Sequence, residues 1–418
     1  MAPTEEPAAT IPTPPAPAPH FILVPLVALG HTIPMVDLAR LLADRGARAS
    51  LITTPLNASR LRGVADHAKL ANLPLEIVAL PFPTDVPGLP PGCENIDQAT
   101  DMRHFPPMFA ALQTLAGPLE AHLRSLSPRP ACVVSDWCNP WTAPVARRLG
   151  IPRLFFHGPS CFYSLCDLNV SAHGLHERAD NDDDGQKEEE KERFVVPGMP
   201  VRVEVTRATV PGFLNHPGFE ALREAAVDAM HTADGAVVNT FVGLERQFVA
   251  CYEAALGKPV WTLGPLCLAS SRDAEAAASL GDRLDAQQQG AVAAWLDERD
   301  PDSVVYVSFG SLARKLPKQL FEVGHGLEDS GKPFLWVVKN SEATAPGVQE
   351  WLRALEERTA GRGLVVRGWA PQLAILSHRA VGGFVTHCGW NSSLESVAHG
   401  VPVATWPHFS DQFLNERP

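Results

Sequence analysis

The chain has 418 residues, too many for one ordinary hydrophobic core, so the length predicts two domains. Hydrophobic residues make up 45% of the chain and charged residues 20%, which is a globular composition. The formal net charge of −12 at pH 7 argues against a nucleic-acid partner, because the chain has no net positive field that would attract phosphate.

Cysteine usage and the N-terminus bear on the compartment. The eight cysteines have irregular spacing and form no CxxC pair, which predicts neither a disulfide scaffold nor a zinc site, and we expect buried thiols. The first basic residue is Arg40, so the N-terminus lacks the positive segment of a secretory signal. The apolar run 21–29 is too short to cross a bilayer. We therefore expect a cytoplasmic protein without a membrane span.

The N-terminal half alternates strands with helices. Residues 1–19 contain seven prolines and no aromatic residue, which predicts a disordered tail. A buried strand is predicted over 20–27, an amphipathic helix with proline near its start over 34–45, and a second strand over 47–54. Further strands are predicted at 131–135, 153–156, 235–239 and 259–262, and a helix at 140–149. This α/β alternation predicts a parallel, doubly wound sheet in a domain formed by residues 20–265.

Two irregular segments separate the predicted elements. Segment 175–193 is rich in carboxylates and is expected to be a solvated acidic surface loop. Segment 266–289 is rich in Ala, Ser and Asp, has no hydrophobic period, and is the candidate interdomain linker. The alternation then restarts. Strands are predicted at 303–308, 333–338, 363–366, 382–386 and 402–405, and helices at 317–330 and 393–399. Residues 290–418 therefore form a second α/β domain, and a cleft between the domains is the expected ligand site.

Polar groups suited to a nucleotide diphosphate follow the predicted strand 382–386. That strand ends at His387, and a helix comes next, so a helix N-terminus lies at the carboxyl end of a parallel strand, where anions bind. His387 is expected to donate to a phosphate oxygen. Gly389 allows close approach of the backbone, and Asn391 and Ser392 are expected to cap the helix and supply donors.

Residues suited to the other parts of a nucleotide sugar flank this turn. Trp369 follows a predicted strand and is expected to stack on a flat base. Glu395 lies one helical turn beyond the diphosphate residues and can accept hydrogen bonds from ribose hydroxyls. Asp411 and Gln412 follow the last predicted strand and offer the acceptors and donors that sugar hydroxyls need. Each residue alone also fits a purely structural role; the density of the whole stretch favours a nucleotide-sugar site.

Residues 369–412 resemble, over their full length and in register, the nucleotide-sugar signature box of plant family 1 UDP-glycosyltransferases, and the resemblance extends from 20 to 416. It implies a GT-B-like fold of two doubly wound Rossmann-like domains facing a cleft. Residues 20–265 would bind the acceptor and 290–418 the UDP-sugar. The resemblance implies eleven donor-binding residues, namely Trp369, Ala370 and Gln372 at uracil and ribose, Glu395 at the ribose hydroxyls, Ser311, His387, Asn391 and Ser392 at the pyrophosphate, and Trp390, Asp411 and Gln412 at the sugar.

The resemblance also favours one donor. In the family, glutamine at the place of Gln412 goes with glucose and histidine with galactose. Trp390 stands where an arginine would pair with the carboxylate of glucuronic acid. UDP-glucose is therefore the expected donor substrate, and no resident cofactor is implied. We expect no metal ion.

Transfer to a hydroxyl requires a general base, and His31 with Asp136 fits that need. Both lie at carboxyl ends of predicted strands, and a carboxylate behind an imidazole fixes its tautomer. Spacing alone leaves His20, His157 and His387 as competitors, although His20 begins its strand. The resemblance decides for His31 with Asp136, and it implies inversion at the anomeric carbon to give a β-glucoside.

The acceptor and the activity leave alternatives open. The segments 81–101, 159–166 and 197–213 are rich in Pro, Phe and Cys and suit a flavonoid, hormone, phenolic or triterpenoid acceptor without selecting one. An NAD(P)-dependent oxidoreductase is a rival, but Gly30 stands alone without the GxGxxG fingerprint. The other rival is a truncated isoform that binds UDP-sugar weakly or without turnover, because the chain stops soon after the signature box and its C-terminal domain is expected to be incomplete. We expect a monomer.

Overall fold

The computed structural model describes residues 17–99, 101–175, 193–212, 218–270, 286–311 and 317–417. Most of the predicted N-terminal tail and the predicted acidic loop, at 1–16 and 176–192, lie outside the described residues. Within the described ranges, no helix is long and apolar enough to cross a membrane. No group of three or more His, Cys, Asp or Glu side chains there is arranged to hold a metal ion.

The first half of the chain forms a seven-stranded parallel sheet. The described strands of this half are β1 (His20–Val24), β2 (Arg48–Thr53), β3 (Leu75–Ala79), β4 (Cys132–Asp136), β5 (Arg153–His157), β6 (Phe194–Val195), β7 (Glu204–Val205), β8 (Gly235–Val238) and β9 (Val260–Thr262). Strands β6 and β7 form a separate antiparallel pair, and the others follow the order β3-β2-β1-β4-β5-β8-β9. The central β1 is apolar on both faces, as expected where helices cover both sides of a parallel sheet.

Helices flank this sheet on both faces. They are α1 (Leu29–Asp44), α2 (Pro55–Arg60), α3 (Arg62–Leu70), α4 (Phe105–Gln113), α5 (Ala116–Ser125), α6 (Thr142–Leu149), α7 (Cys161–Ala172), α8 (Glu220–His231) and α9 (Val242–Leu256). Short 3₁₀ helices occur at Ile96–Gln98, Met102–His104 and Arg207–Thr209. One apolar core lies around Ile22 and Met108, and a second around Leu23 and Met35, so neighbouring residues of β1 point into opposite cores.

The predicted start of the first helix was wrong. The strand ends at Val24 rather than at residue 27, and α1 begins at Leu29 rather than at Pro34, which therefore lies inside the helix. The helix extends past the proline because the carboxylate of Asp97 accepts the backbone N–H of Leu29 at 2.8 Å and stabilises the first turn. His31 therefore lies within the first turn of α1.

The second half of the chain forms a five-stranded parallel sheet. Its strands are β10 (Val304–Ser308), β11 (Phe334–Val338), β12 (Gly363–Arg367), β13 (Val381–Thr386) and β14 (Val403–Thr405). The order is β12-β11-β10-β13-β14. The helices are α10 (Cys267–Ser270), α11 (Ala286–Asp297), α12 (Pro317–Asp329), α13 (Asn340–Ala343), α14 (Val348–Arg358), α15 (Gln372–Leu376), α16 (Trp390–His399) and α17 (Gln412–Asn415).

The ends of the predicted linker 266–289 are helical, in α10 and the beginning of α11, while residues 271–285 lie outside the described part of the chain. The domain limits stay a prediction. The expectation of buried cysteines is confirmed for seven of the eight, and Cys251 is half-buried; all eight are free thiols.

Strand order places the candidate site. In the first sheet the order reverses between β1 and β4, and in the second between β10 and β13. Crevices beyond the carboxyl ends of strands at such reversals are the usual ligand sites of open α/β sheets. His31 follows β1, Asp136 ends β4 and His387 follows β13, so the residues singled out from sequence stand at these two crevices.

Candidate active site

A cleft of about 1000 Å³ lies between the two sheets and receives side chains from both halves of the chain. His31 lines it, as do all eleven residues predicted to bind the donor. The first half also contributes apolar and aromatic side chains to the wall, including Leu26, Phe105, Phe109 and Trp137. The structure therefore brings together, around one cavity, residues that lie far apart in the sequence, from His31 to Gln412.

His31 and Asp136 form a hydrogen-bonded pair. His31 Nδ1 lies 2.7 Å from Asp136 Oδ2. Asp136 is completely buried and its Oδ1 accepts the backbone N–H of Cys138 at 2.9 Å, whereas the His31 side chain is 26% exposed. Because Nδ1 is engaged by the carboxylate, Nε2 is the ring nitrogen that can receive a proton from a molecule in the cleft.

Opposing effects set the pKa of His31. Burial lowers this pKa, but the charge and hydrogen bond of Asp136 raise it, and the charges of Asp97 and Asp411 raise it further. The net pKa lies above the ordinary value of 6.5. A histidine in this setting is a stronger base than a free imidazole, and it is held in the Nδ1–H tautomer when neutral.

The competing histidines from the sequence analysis have other environments. His20 stands at the amino end of β1, where its Nε2 pairs with the hydroxyl of Ser50 at 2.7 Å. His157 ends β5 but is buried, with Nδ1 bonded to Ser164 at 2.8 Å, and burial lowers its pKa to about 4. Neither lines the cleft, whereas His31 does.

His387 occupies a slot formed by two glycines. A Cβ on Gly310 would contact the imidazole, and one on Gly389 would lie 2.5 Å from Nε2, so only glycine allows this fit. Burial lowers the pKa of His387 to about 4, helped by the nearby charges of His408 and Lys339. The ring is therefore neutral at pH 7 and can donate one hydrogen bond. Its Nδ1 is buried without a protein partner among the described residues.

The N-terminus of α16 opens toward the cleft. The helix begins at Trp390, and its N-cap, Gly389, has no side chain that could cap it; the Asp411 carboxylate accepts a hydrogen bond from the backbone N–H of Trp390. The expectation that Asn391 and Ser392 cap the helix was therefore wrong, because both lie within its first turn. The other N–H groups of the first turn and the helix dipole make this end suited to an anion.

Asn391 contacts the other half of the chain. Its Nδ2 donates to the backbone oxygen of Gly30 at 2.6 Å. Within α1 that oxygen would normally accept the N–H four residues later, but residue 34 is proline and has none. Pro34 therefore leaves the Gly30 carbonyl available beside His31.

The groups predicted to hold the nucleoside form one network. Gln372 Nε2 donates to Glu395 Oε2 at 2.6 Å and to Ser392 Oγ at 2.9 Å, while its Oε1 accepts from the Tyr306 hydroxyl at 3.1 Å. Burial raises the pKa of Glu395 to about 7. Trp369 and Ala370 follow β12 in the loop that enters this part of the cleft.

The residues predicted to hold the sugar lie at the end of the described chain. Gln412 is buried and its Oε1 accepts the backbone N–H groups of His408 and Phe409, which leaves Nε2 as its donor. The indole N–H of Trp390 donates to the backbone oxygen of Asn239 at 2.7 Å, across the cleft. The indole N–H is the only polar group of the Trp390 side chain, and it is therefore already bonded within the protein. The Asp411 carboxylate accepts a hydrogen bond from Asn415 at 2.7 Å.

Sequence reasoning missed Asp97. It lines the cleft, bonds the first turn of α1, approaches the Ser311 hydroxyl from the second half, and bears on the pKa of His31. Burial raises the pKa of Asp97 itself. Asp97 falls in the segment 81–101 that was expected to shape the acceptor side, but nothing in its local sequence singled it out.

Comparison with known proteins gives consistent results. Residues 288–417 match the sequence model of the family described as UDP-glucoronosyl and UDP-glucosyl transferase. UDP-glycosyltransferase 73E1 of Stevia rebaudiana is 43% identical over 403 residues, which are 95% of this chain and 79% of that protein. UDP-glycosyltransferase 73D1 of Arabidopsis thaliana is 41% identical over 409 residues, 95% of this chain and 78% of that protein.

A solved structure agrees in fold. UGT73P12 of Glycyrrhiza uralensis, complexed with glycyrrhetinic acid 3-O-monoglucuronide, matches with a TM-score of 0.84 and 36% identity. The match covers 96% of this chain and 79% of that one. Two Rossmann-like domains around a cleft define a GT-B glycosyltransferase fold. The chain belongs to the UDP-glycosyltransferase family and is an enzyme of that class.

Proposed function

We propose that the protein transfers glucose from UDP-glucose to a hydroxyl of a small plant metabolite, with inversion at the anomeric carbon. The observation that carries the proposal is a basic His31–Asp136 pair on one wall of the cleft, facing the predicted donor residues on the other. The N-terminal domain, residues 20–265, would hold the acceptor, and residues 290–418 the donor.

His31 acts as the general base. Its Nε2 takes the proton of the acceptor hydroxyl while that oxygen attacks the anomeric carbon, and the imidazolium that forms is stabilised by Asp136. The bond from the anomeric carbon to the β-phosphate oxygen breaks, and UDP leaves with that electron pair. Attack from the face opposite the leaving group gives the β-glucoside.

The leaving diphosphate gains negative charge, and the residues predicted around it can stabilise that charge. Neutral His387 donates from its glycine slot, and the first turn of α16 beyond Trp390 supplies backbone N–H groups. Ser311 and Ser392 offer hydroxyls on the same wall. These donors are fixed before reaction, so little reorganisation is needed in the transition state.

Several features favour glucose as the sugar. Gln412 has a fixed amide with Nε2 as its donor, and Asp411 presents a carboxylate beside it. A related Medicago truncatula enzyme, UGT71G1, was solved with UDP-glucose; it is 25% identical, with a TM-score of 0.74. For the acceptor, the aromatic and aliphatic wall formed by Phe105, Phe109 and Trp137 suits an apolar ring system with few charges.

The test is turnover of UDP-glucose, UDP-galactose and UDP-glucuronic acid against a panel of flavonoid, phenolic, hormone and triterpenoid acceptors, followed by mass spectrometry. We expect a mass gain of one hexose with UDP-glucose as the preferred donor, and a β-anomeric proton coupling in the NMR spectrum of the product. Hydrolysis without acceptor-dependent product, or an α-linked product, would refute the proposal.

A further inference from the structure

The short helix α17 connects the predicted sugar site to the N-terminal domain. Its first residue is Gln412, and Asp411 directly precedes it. Leu414, on the same helix, is completely buried in a cluster that otherwise belongs to the first half of the chain, including Tyr163, Val170 and Val205. The helix that carries the sugar residues is therefore anchored in the opposite domain.

Asn415 joins three elements at this point. Its Nδ2 donates to Asp411 Oδ2 at 2.7 Å and to the backbone oxygen of Cys388 at 3.0 Å, and its Oδ1 lies 3.5 Å from the hydroxyl of Ser160. Cys388 has a φ of +64° in the turn after His387, a conformation that costs free energy for a residue with a Cβ and needs support from its surroundings. The bond to the Cys388 oxygen also fixes the orientation of the Asn415 amide.

We propose that Asn415 is a positioning residue for the sugar half of the donor: it orients the Asp411 carboxylate. The proposal rests on the assignment of Asp411 to the sugar under Proposed function. Asn415 itself does not line the cleft. A carboxylate that accepts a hydrogen bond from a fixed amide has one preferred orientation, and its other lone pairs are then aimed at the ligand.

The pH at which Asp411 is protonated gives a measurable signal for the positioning role of Asn415. Burial raises the pKa of Asp411 to about 6, while hydrogen bonds from Asn415 and from the backbone N–H groups of Asp411 and Trp390, together with the charge of His31, lower it. Tyr163 from α7 and Cys388 are the other titratable groups that face this carboxylate. The sugar-binding carboxylate should therefore be lost as the pH falls through about 6, and removing Asn415 should move that loss to higher pH.

The experiment compares UDP-glucose with UDP by isothermal titration calorimetry, without acceptor. Asn415→Ala should weaken UDP-glucose binding about tenfold and leave UDP binding within twofold, because only the sugar contacts depend on Asp411. The ratio of the two affinities should fall at a higher pH than in the wild type; this ratio cancels the titration of Glu395, which both ligands share. Glu416→Ala, an exposed neighbour on the same segment, should change neither affinity.

Two further variants keep the test decisive. Asn415→Asp has nearly the same shape as the native residue and should reverse the pH dependence, because a protonated aspartate can donate to Asp411 at low pH and repels it at high pH. Asp411→Ala separates the two proposals: if it leaves UDP-glucose binding unchanged, the sugar assignment fails. If Asp411→Ala weakens UDP-glucose but Asn415→Ala has no effect, or weakens UDP equally, the positioning role is overturned.

Discussion

Asp136→Asn is the sharpest perturbation of the proposed base. The native carboxylate accepts twice, from the backbone N–H of Cys138 at 2.9 Å and from Nδ1–H of His31 at 2.7 Å. An asparagine has only one acceptor oxygen. The Cys138 N–H is fixed by the backbone and can only donate, so the amide oxygen should turn toward it and the NH₂ group toward His31.

This orientation determines the outcome for His31. An NH₂ group facing Nδ1 requires that nitrogen to be unprotonated, so the proton of the neutral ring lies on Nε2, where it blocks proton abstraction. Loss of the correct tautomer typically lowers kcat about 10³- to 10⁴-fold, equivalent to roughly 4–5.5 kcal/mol of barrier. Removal of the charge also lowers the pKa of His31, since Asp136 is the group that raises it.

The assay is steady-state glucosylation across pH, with UDP binding measured in parallel. In the wild type, kcat/KM should rise with pH through a pKa above 6.5, because the raised pKa keeps His31 protonated at lower pH. Asp136→Asn should lower kcat at every pH, and the remaining activity should rise at a lower pH than in the wild type. UDP affinity should be unchanged. A variant that keeps more than a tenth of the wild-type kcat would refute the assignment of the pair.

Three further predictions concern the donor side. Gln412→His should raise kcat/KM for UDP-galactose relative to UDP-glucose; an unchanged ratio removes this amide from donor selection. Gly389→Ala should weaken UDP binding, since its Cβ would lie 2.5 Å from the His387 ring, whereas Gly383→Ala in the preceding strand β13 meets no atom within 4 Å and serves as the control. UDP-glucose affinity should rise as the pH passes through about 7, where Glu395 ionises to a better acceptor for ribose hydroxyls, and Glu395→Gln should abolish that rise; a rise of the same size in the variant would contradict the assignment.

The sequence by itself determined the architecture and the stretch of chain in which the donor-binding residues are predicted. Alternating strand and helix patterns predicted two parallel sheets, and both formed with element ends displaced by a few residues. The elements within the stretch from Trp369 to Gln412 could be predicted from local sequence, because neighbouring residues indicate a strand end, a glycine turn and a helix start. The rule that ligands gather at carboxyl ends of strands made His31 and Asp136 candidates, the family resemblance selected them, and the structure brings their side chains within 2.7 Å.

Only the tertiary structure decided how the two halves meet. The bond from Asn391 to the backbone oxygen of Gly30 joins residues 361 positions apart, and a backbone oxygen has no sequence signal of its own. The sequence likewise gives no sign that Asn415 bonds to Asp411 or that Leu414 packs among residues of the first half of the chain. Local patterns specify helices and strands because their hydrogen bonds join near neighbours, whereas the contacts that aim a carboxylate or close a cleft arise from packing between distant segments, and they exist only once the chain has folded.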